Sequence, residues 1–332
     1  MQNQSADMTM EITVLMTSWA IAYFAGPALL PVLRKLKFGQ TVRDDGPQSH
    51  LQKNGTPTMG GIIFIAAILL TSVGVSIIKK EAATEITLSL LFMILFGFVG
   101  FVDDYIKVVK KRSLGLKAKQ KIAMQVVFAA FLAVFQLKIS PLGSSILVPF
   151  TDLSLDLGIM YVPFLMFVII AIVNSVNLTD GLDGLASTVT VLVSLCFAVI
   201  AFMMGNKAVL YFMLSVAGAC TGFLRVNRYP AKVFMGDTGS MALGGAVASA
   251  AVILNLELLV PIMCIVYFME SVSVILQVGY YKKTKKRIFK MAPLHHHFEL
   301  CGWHETKVVR VFDIITVIMG LIGILSVFIG GM

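Results

Sequence analysis

Ten long apolar runs separated by short polar connections make up most of the chain, at roughly 12–33, 58–78, 86–106, 121–138, 159–176, 186–204, 208–224, 238–254, 257–280 and 311–331. Each is close to the ~20 residues that carry a helix across the hydrocarbon of a bilayer. Only helices and closed barrels satisfy their own backbone there, so each run predicts a membrane helix. The first run is too long for a signal-peptide core and follows an acidic tail with Asp7 and Glu11, so it reads as an uncleaved span. Segment 139–158 departs from the pattern: apolar and polar residues alternate with turn formers between them, which predicts a short hairpin lying on the membrane.

Composition agrees. Of the 332 residues 58% are hydrophobic and 14% charged, where a soluble domain is about a quarter charged. Mean hydropathy is +0.88. Disorder, a disulfide scaffold and a soluble α/β enzyme are excluded. Cys196, Cys220 and Cys264 fall in apolar runs and Cys301 stands alone, with no CxxC pair to suggest zinc or a staple.

The net charge of +9 is unevenly placed: 23 of 27 lysines and arginines fall in alternate connections, at 34–57, 107–121, 225–237 and 281–310. The positive-inside rule makes that side cytoplasmic and puts both termini outside, which an even number of spans requires. The expected fold is therefore an all-α integral membrane protein of about ten transmembrane helices. It forms a single polytopic domain over 1–332, with chemistry-bearing cytoplasmic loops at 34–57, 107–121, 174–186, 225–237 and 281–310.

Those loops hold more chemistry than links between helices need. KNGTPTMGG at 53–61 offers Lys53, hydroxyls and a glycine-flanked helix start, either a turn with Thr58 as N-cap or an anion site. FVDDYIK at 101–107 puts Asp103 and Asp104 near a helix C-terminus, where the dipole favours cations. They either pair with the basic run that follows or serve as metal ligand or base. NSVNLTDGLDGLA at 174–186 carries no lysine or arginine but presents Asn174, Asn177, Asp180 and Asp183, more than Asx-turn and capping chemistry needs. VFMGDTGS at 233–240 sets Asp237 between glycines, as N-cap or as a carboxylate holding Mg²⁺ beside a helix start. MAPLHHHFE at 291–299 has three adjacent histidines, poorly spaced for metal and better suited to lie beside phosphates. The basic stretch before it reads as an interfacial anchor. Glu270 and Gln277, on the inner half of the ninth run, are polar groups costly to bury there and complete the candidate pocket. All of these lie on one membrane face. Carboxylates, amides, imidazoles and lysines gathered there suit Mg²⁺ and a diphosphate, hence phosphoryl transfer.

Taken together and in this order, the five motifs closely resemble the phospho-N-acetylmuramoyl-pentapeptide transferases (translocase I), a family of the polyprenyl-phosphate sugar-1-phosphate transferase superfamily. The resemblance covers essentially the whole chain, and the histidine segment is its most discriminating part. It implies transfer of phospho-MurNAc-pentapeptide from its UDP carrier to undecaprenyl phosphate in the bacterial cytoplasmic membrane. The products are lipid I and UMP, and Mg²⁺ is the cofactor. By matching motif, Asp237 is the implied Mg²⁺ ligand. Asp103 is the implied base toward the lipid phosphate or, alternatively, a covalent nucleophile, with Asp104 in support. Asn177, Asp180, Gly181, Leu182 and Asp183 resemble the nucleotide-binding segment, with Phe234 beneath the uracil. Lys53, Thr58, His295 and His296 resemble the diphosphate- and nucleoside-side contacts, with His297 alongside. Lys107, Lys111 and Lys119 match basic positions near the lipid-phosphate entry. The resemblance further implies a homodimer; nucleic acid is not an expected partner.

Two rivals remain at this level. A related transferase moving another UDP-amino sugar phosphate to the same lipid shares the aspartate motifs. A cation-coupled transporter is a rival of another class, since intramembrane carboxylates mark ion paths. Against it, the polar groups gather at one face rather than at mid-membrane, and no inverted repeat is visible.

Overall fold

The computed structural model describes residues 2–35, 55–109 and 115–331. Among them, ten helices of 18 residues or more coincide with the ten apolar runs. They are α1 Gln2–Lys35, α2 Gly61–Ile78, α3 Ala83–Val109, α4 Ala118–Ile139, α5 Tyr161–Thr179, α6 Leu185–Met203, α7 Lys207–Asn227, α8 Gly236–Ile253, α10 Ile265–Thr284 and α12 Glu305–Ile329. Two short α-helices, α9 Val260–Met263 and α11 Leu294–Leu300, and two 3₁₀ turns, Lys80–Ala82 and Gly158–Met160, are also present. Eight of the long helices are long and apolar enough to cross a membrane; α8 and α10 are the exceptions. The chain is thus a nearly all-helical integral membrane protein. The predicted hairpin is present, with β1 Ser145–Leu147 antiparallel to β2 Ser154–Asp156 and Ile146 opposite Leu155.

The structure revises two element boundaries. The ninth run is not one helix: α9 ends at Met263, Cys264 adopts φ −102° and ψ 29°, and a new helix starts at Ile265. Residues 254–259 form the turn that precedes α9. At the other end of the chain, α1 begins well before its apolar run, so the polar tail continues the helix.

The centre of the bundle is α8. It packs along α3 and also meets α2, α5, α6 and α7. Every residue from Thr238 to Ile253 is buried. A helix enclosed on all sides is apolar or small all round, and here it is built from Gly, Ala, Ser and aliphatic residues. Small residues let backbones approach closely: a β-carbon at Gly100 of α3 would run into the Asp237 carbonyl of α8. That contact brings the Asp103–Asp104 pair beside Asp237.

Replacing Gly100 with Val should therefore force α3 and α8 apart. We expect a loss of about 3 kcal/mol or more of stability, seen as a lowered Tm of the detergent-purified protein. An unchanged Tm would contradict this packing.

Candidate active site

One end of the bundle collects the C-terminal parts of α3, α5 and α10, the N-terminal parts of α4, α8 and α12, and α11. A backbone pairing draws two of the connections together. The Phe234 N–H donates to Pro57 O (2.9 Å), and the Gly60 and Gly61 N–H groups donate to Phe234 O and Met235 O (2.9 and 3.0 Å). KNGTPTMGG thus lies against VFMGDTGS, and Thr58 is buried near Asp104 and Gly236. Gly236 has φ +73°, and a β-carbon on it would lie 2.6 Å from Asp104 Oδ2 and 2.7 Å from Thr58 Oγ1. Only glycine fits that turn.

Asp103, Asp104 and Asp237 each offer a carboxylate oxygen within 4.8 Å of the others. Asp103 and Asp104 are 4% and 2% exposed. Each carboxylate has a different anchor. Asp104 Oδ2 accepts from Thr238 N (2.9 Å) and Thr238 Oγ1 (2.7 Å), and its Oδ1 from Asp237 N (3.3 Å). Asp104 therefore satisfies the first N–H groups of α8 from across the helix pair. This answers one question left open by the motif: Asp237 is not the N-cap of α8, and its carboxylate is free for other work. Thr58 is likewise not the cap of α2; that position is Gly60. Asp103 Oδ1 accepts from Leu116 N (2.7 Å).

Two ammonium groups bind the three carboxylates together. Lys107 Nζ lies 2.6 Å from Asp103 Oδ2, 3.1 Å from Asp237 Oδ2 and 3.7 Å from Asp104 Oδ1. Lys121 Nζ lies 2.9 Å from Asp237 Oδ2 and donates to Asn177 Oδ1 at 3.2 Å. Asn177 Nδ2 in turn donates to Asp237 Oδ1 (3.2 Å) and Ser240 Oγ (2.7 Å). Burial alone would raise the Asp237 carboxyl, but Lys121 and Lys107 hold it well below the usual carboxylate range. Asp180 is the opposite case. Burial, then the charges of Asp237, Asp104 and Asp183, push its carboxyl well above that range. No described residue hydrogen-bonds to its side chain.

The histidine segment forms α11 and closes one side. His295 is buried, with Nδ1 3.1 Å from Glu270 Oε2 and its backbone N–H donating to Glu270 Oε1 (3.3 Å). Its Nε2 faces Gly181 so closely that a β-carbon there would collide with it. Glu270 in α10, α11 and the NLTDGLDG turn are thereby joined. His296 stacks edge-on against His295 at 4.1 Å and pairs with Glu299 Oε2 at 2.9 Å. His297 Nδ1 accepts from Lys290 N (3.1 Å), so the three imidazoles have three different surroundings.

Of the expected site residues, the structure brings Asp103, Asp104, Asp237, Lys107, Thr58 and Asn177 into one cluster. Asp180 lies within electrostatic reach, and Gly181 and His295 form the adjoining wall. Others have structural occupations. Asp183 Oδ2 accepts from Ala231 N (2.8 Å) and its N–H donates to Glu305 Oε1 (2.6 Å). Leu182 is core. Gln277 spends its amide closing the 288–289 turn, accepting from Ile288 N and Phe289 N (both 3.0 Å) and donating to Phe289 O (3.1 Å). Phe234 is half-buried beside the Thr58 connection, and Lys119 is exposed on α4. Lys53 and Lys111 lie outside the described residues.

Lys121, Thr238 and Ser240 are site residues that the motifs did not single out. A signal for Lys121 was present: the inward stripe of α4 runs Gln125, Ala129, Leu132–Ala133, Gln136. One turn before Gln125 falls Lys121, not Lys119.

Three carboxylates against two ammonium groups leave a net negative, all-oxygen cluster. Hard divalent cations such as Mg²⁺ take that donor set, so Asp103, Asp104 and Asp237 fit such an ion. Thr58 and the lysines add groups of the kind that hold phosphate.

Comparison with known proteins points the same way. A family described as glycosyl transferase family 4 matches residues 86–255. The phospho-N-acetylmuramoyl-pentapeptide-transferase signature 1 matches residues 53–65. The chain is similar to the phospho-N-acetylmuramoyl-pentapeptide-transferase of Clostridioides difficile, at 54% identity covering 94% of this chain and 96% of that one. The protein of the same description from Alkaliphilus oremlandii is 53% identical, covering 95% and 97%. That from Clostridium novyi is 47% identical, covering 96% and 97%.

The two α4 lysines should part company on substitution. Lys121→Gln leaves Asp237 with one counter-ion and should cost about 1 kcal/mol of stability at low salt, whereas Lys119→Gln should fall within about 0.5 kcal/mol of wild type. Thermal unfolding of both variants decides; equal effects would remove Lys121 from the cluster.

Proposed function

The chain belongs to the phospho-N-acetylmuramoyl-pentapeptide-transferase family, and from that membership we propose its reaction, cofactor and orientation. The phospho-MurNAc-pentapeptide group passes from UDP-MurNAc-pentapeptide to undecaprenyl phosphate, giving lipid I and UMP. A phosphate oxygen of the lipid attacks the sugar-bearing phosphorus, and the bond from that phosphorus to the oxygen of UMP breaks. One diphosphate replaces another, so the step is nearly balanced and removal of UMP draws it forward.

The single observation that carries the reading is the convergence of Asp103, Asp104 and Asp237 on two lysines. Asp237, with Asp103 and Asp104 beside it, would hold Mg²⁺, which when bound neutralises the charge of the diphosphate. Lys107 and Lys121 steady phosphate oxygens as they gather charge. Asp103 has Oδ1 engaged by the Leu116 N–H and Oδ2 by Lys107. Both engagements favour a base or orienting role toward the lipid phosphate over covalent attack. The Gly181–His295 wall and Asp180 suit the nucleoside end of the donor.

We further propose that all ten long helices cross the membrane, with both termini outside and the aspartate cluster at the cytoplasmic face. Supporting this, alternate connections along the sequence, at 34–57, 107–121, 225–237 and 281–310, carry 23 of the 27 basic residues. The enclosure of α8 by other helices explains how so weakly apolar a segment spans.

The test is transfer by purified protein in detergent with Mg²⁺ and undecaprenyl phosphate, offering UDP-MurNAc-pentapeptide and UDP-GlcNAc separately and following UMP. Release from the muramyl donor alone is expected. Release from UDP-GlcNAc alone would keep the chemistry and reassign the substrate. Asp237→Asn should abolish turnover, a loss of about 10³-fold or more, chiefly through Mg²⁺; near-normal activity at low Mg²⁺ would overturn the assignment. Asp103→Asn should lower kcat by about 10²-fold while donor affinity, measured by calorimetry, stays close to wild type.

A further inference from the structure

At the opposite end of the bundle from the aspartates, in the turn 254–259, Glu257 is 1% exposed. Neither of its carboxylate oxygens has a hydrogen-bond partner among the described residues. Tyr161, in the first turn of α5, is completely buried, and its hydroxyl is also unpartnered. That hydroxyl lies within electrostatic reach of the Glu257 carboxylate. Gln136, in the last turn of α4, donates Nε2 to Val252 O at 3.0 Å, which fixes the orientation of its amide, while Oε1 is buried without a partner. The carboxylate and the Tyr161 hydroxyl thus lie within electrostatic reach, the Gln136 amide is anchored at Val252, five residues before Glu257, and no described lysine, arginine or histidine is paired to the carboxylate.

Buried polar atoms are ordinarily satisfied, and each exception calls for a reason. Three of these four oxygens only accept when Glu257 is ionised, and a lone buried carboxylate is strongly disfavoured. The three groups do not hydrogen-bond to one another. We propose that Glu257, Tyr161 and Gln136 form an occluded site for one monovalent cation of the sodium class. The donor set is hard oxygen, which sets transition metals aside. One carboxylate balances one positive charge, whereas a divalent ion would leave net charge buried.

The site has a mechanical consequence. The same turn holds Asn255 at φ +55°, and its backbone carbonyl accepts from Leu147 N of the hairpin (3.3 Å). Its side-chain Oδ1 accepts from Ser140 Oγ after α4 (3.2 Å). An ion on Glu257 therefore locks the turn to α4, α5 and the hairpin. This inference is independent of the transfer reaction.

The experiment compares full-length protein in detergent in sodium chloride and in choline chloride at equal ionic strength, reading Tm and the binding of radiolabelled sodium. Wild type should bind one sodium per chain and gain about 3 °C in Tm once sodium is well above its Kd. Glu257→Gln, close in shape, should bind none and show no sodium effect. Tyr161→Phe keeps the charge and should bind more weakly, which covers the case of a poorly folding Glu257→Gln. A sodium-insensitive wild type would overturn the site, as would an equal response in Glu257→Gln. So would a wild type whose stability ignores sodium but falls as pH rises from about 4.5 toward about 8, the signature of a proton held by a carboxyl that burial has pushed up to about 8.

Discussion

Three carboxylates within 4.8 Å of one another repel, and nothing in a membrane protein's interior makes that arrangement cheap. It persists because Lys107 and Lys121 sit among them and because the N-terminus of α8 points at Asp104. Each support comes from a different helix. Lys107 rides one turn beyond the aspartates on α3, Lys121 opens α4, and Asn177 ends α5. The mutual dependence explains why α3, α4, α5 and α8 end at one level, and why glycines rather than larger residues stand at Gly100 and Gly236. The charges need the helix ends, and the helix ends are held in register by the charges.

Much of this was legible in the amino-acid sequence. Apolar runs of spanning length leave few alternatives, so the ten long helices and the hairpin followed from hydropathy and alternation alone. Asp103, Asp104 and Asn177 were readable as anomalies, polar groups where a helix terminus does not need them, while Asp237 read equally well as an N-cap or a metal ligand. What was not legible depended on contacts between distant segments. Whether Asp237 caps α8 or is free turns on Asp104, 133 residues away. Gln277 looked like a pocket residue because buried amides are costly in a span, but a turn eleven residues later takes up its hydrogen bonds. The break at Cys264 has no Gly or Pro at its own position to announce it.

The histidine segment shows how far spacing alone carries. Adjacent histidines on a helix point in different directions, and the structure gives them different partners: Glu270, Glu299 and the Lys290 backbone. His295 turns toward the NLTDGLDG turn. Glu270 in α10 accepts from the His295 backbone N–H and lies 3.1 Å from Nδ1 of the ring that faces Gly181. The membrane-embedded and loop-borne halves of the site are therefore one construction, not a scaffold with loops laid over it.

The complete enclosure of α8 bears on how the protein is made. A segment rich in Gly and Ala gains less from lipid than one of larger aliphatic residues, and has less reason to leave the insertion machinery alone. Its favourable environment is the groove between helices synthesised before it, α3 and α5 above all. On the proposed ten-span topology, those helices stay near the point of insertion until α8 emerges, and the central helix enters the membrane by joining a partly assembled bundle. The order of synthesis thereby becomes part of the folding mechanism, with Asp237 the last of the three clustered carboxylates to arrive.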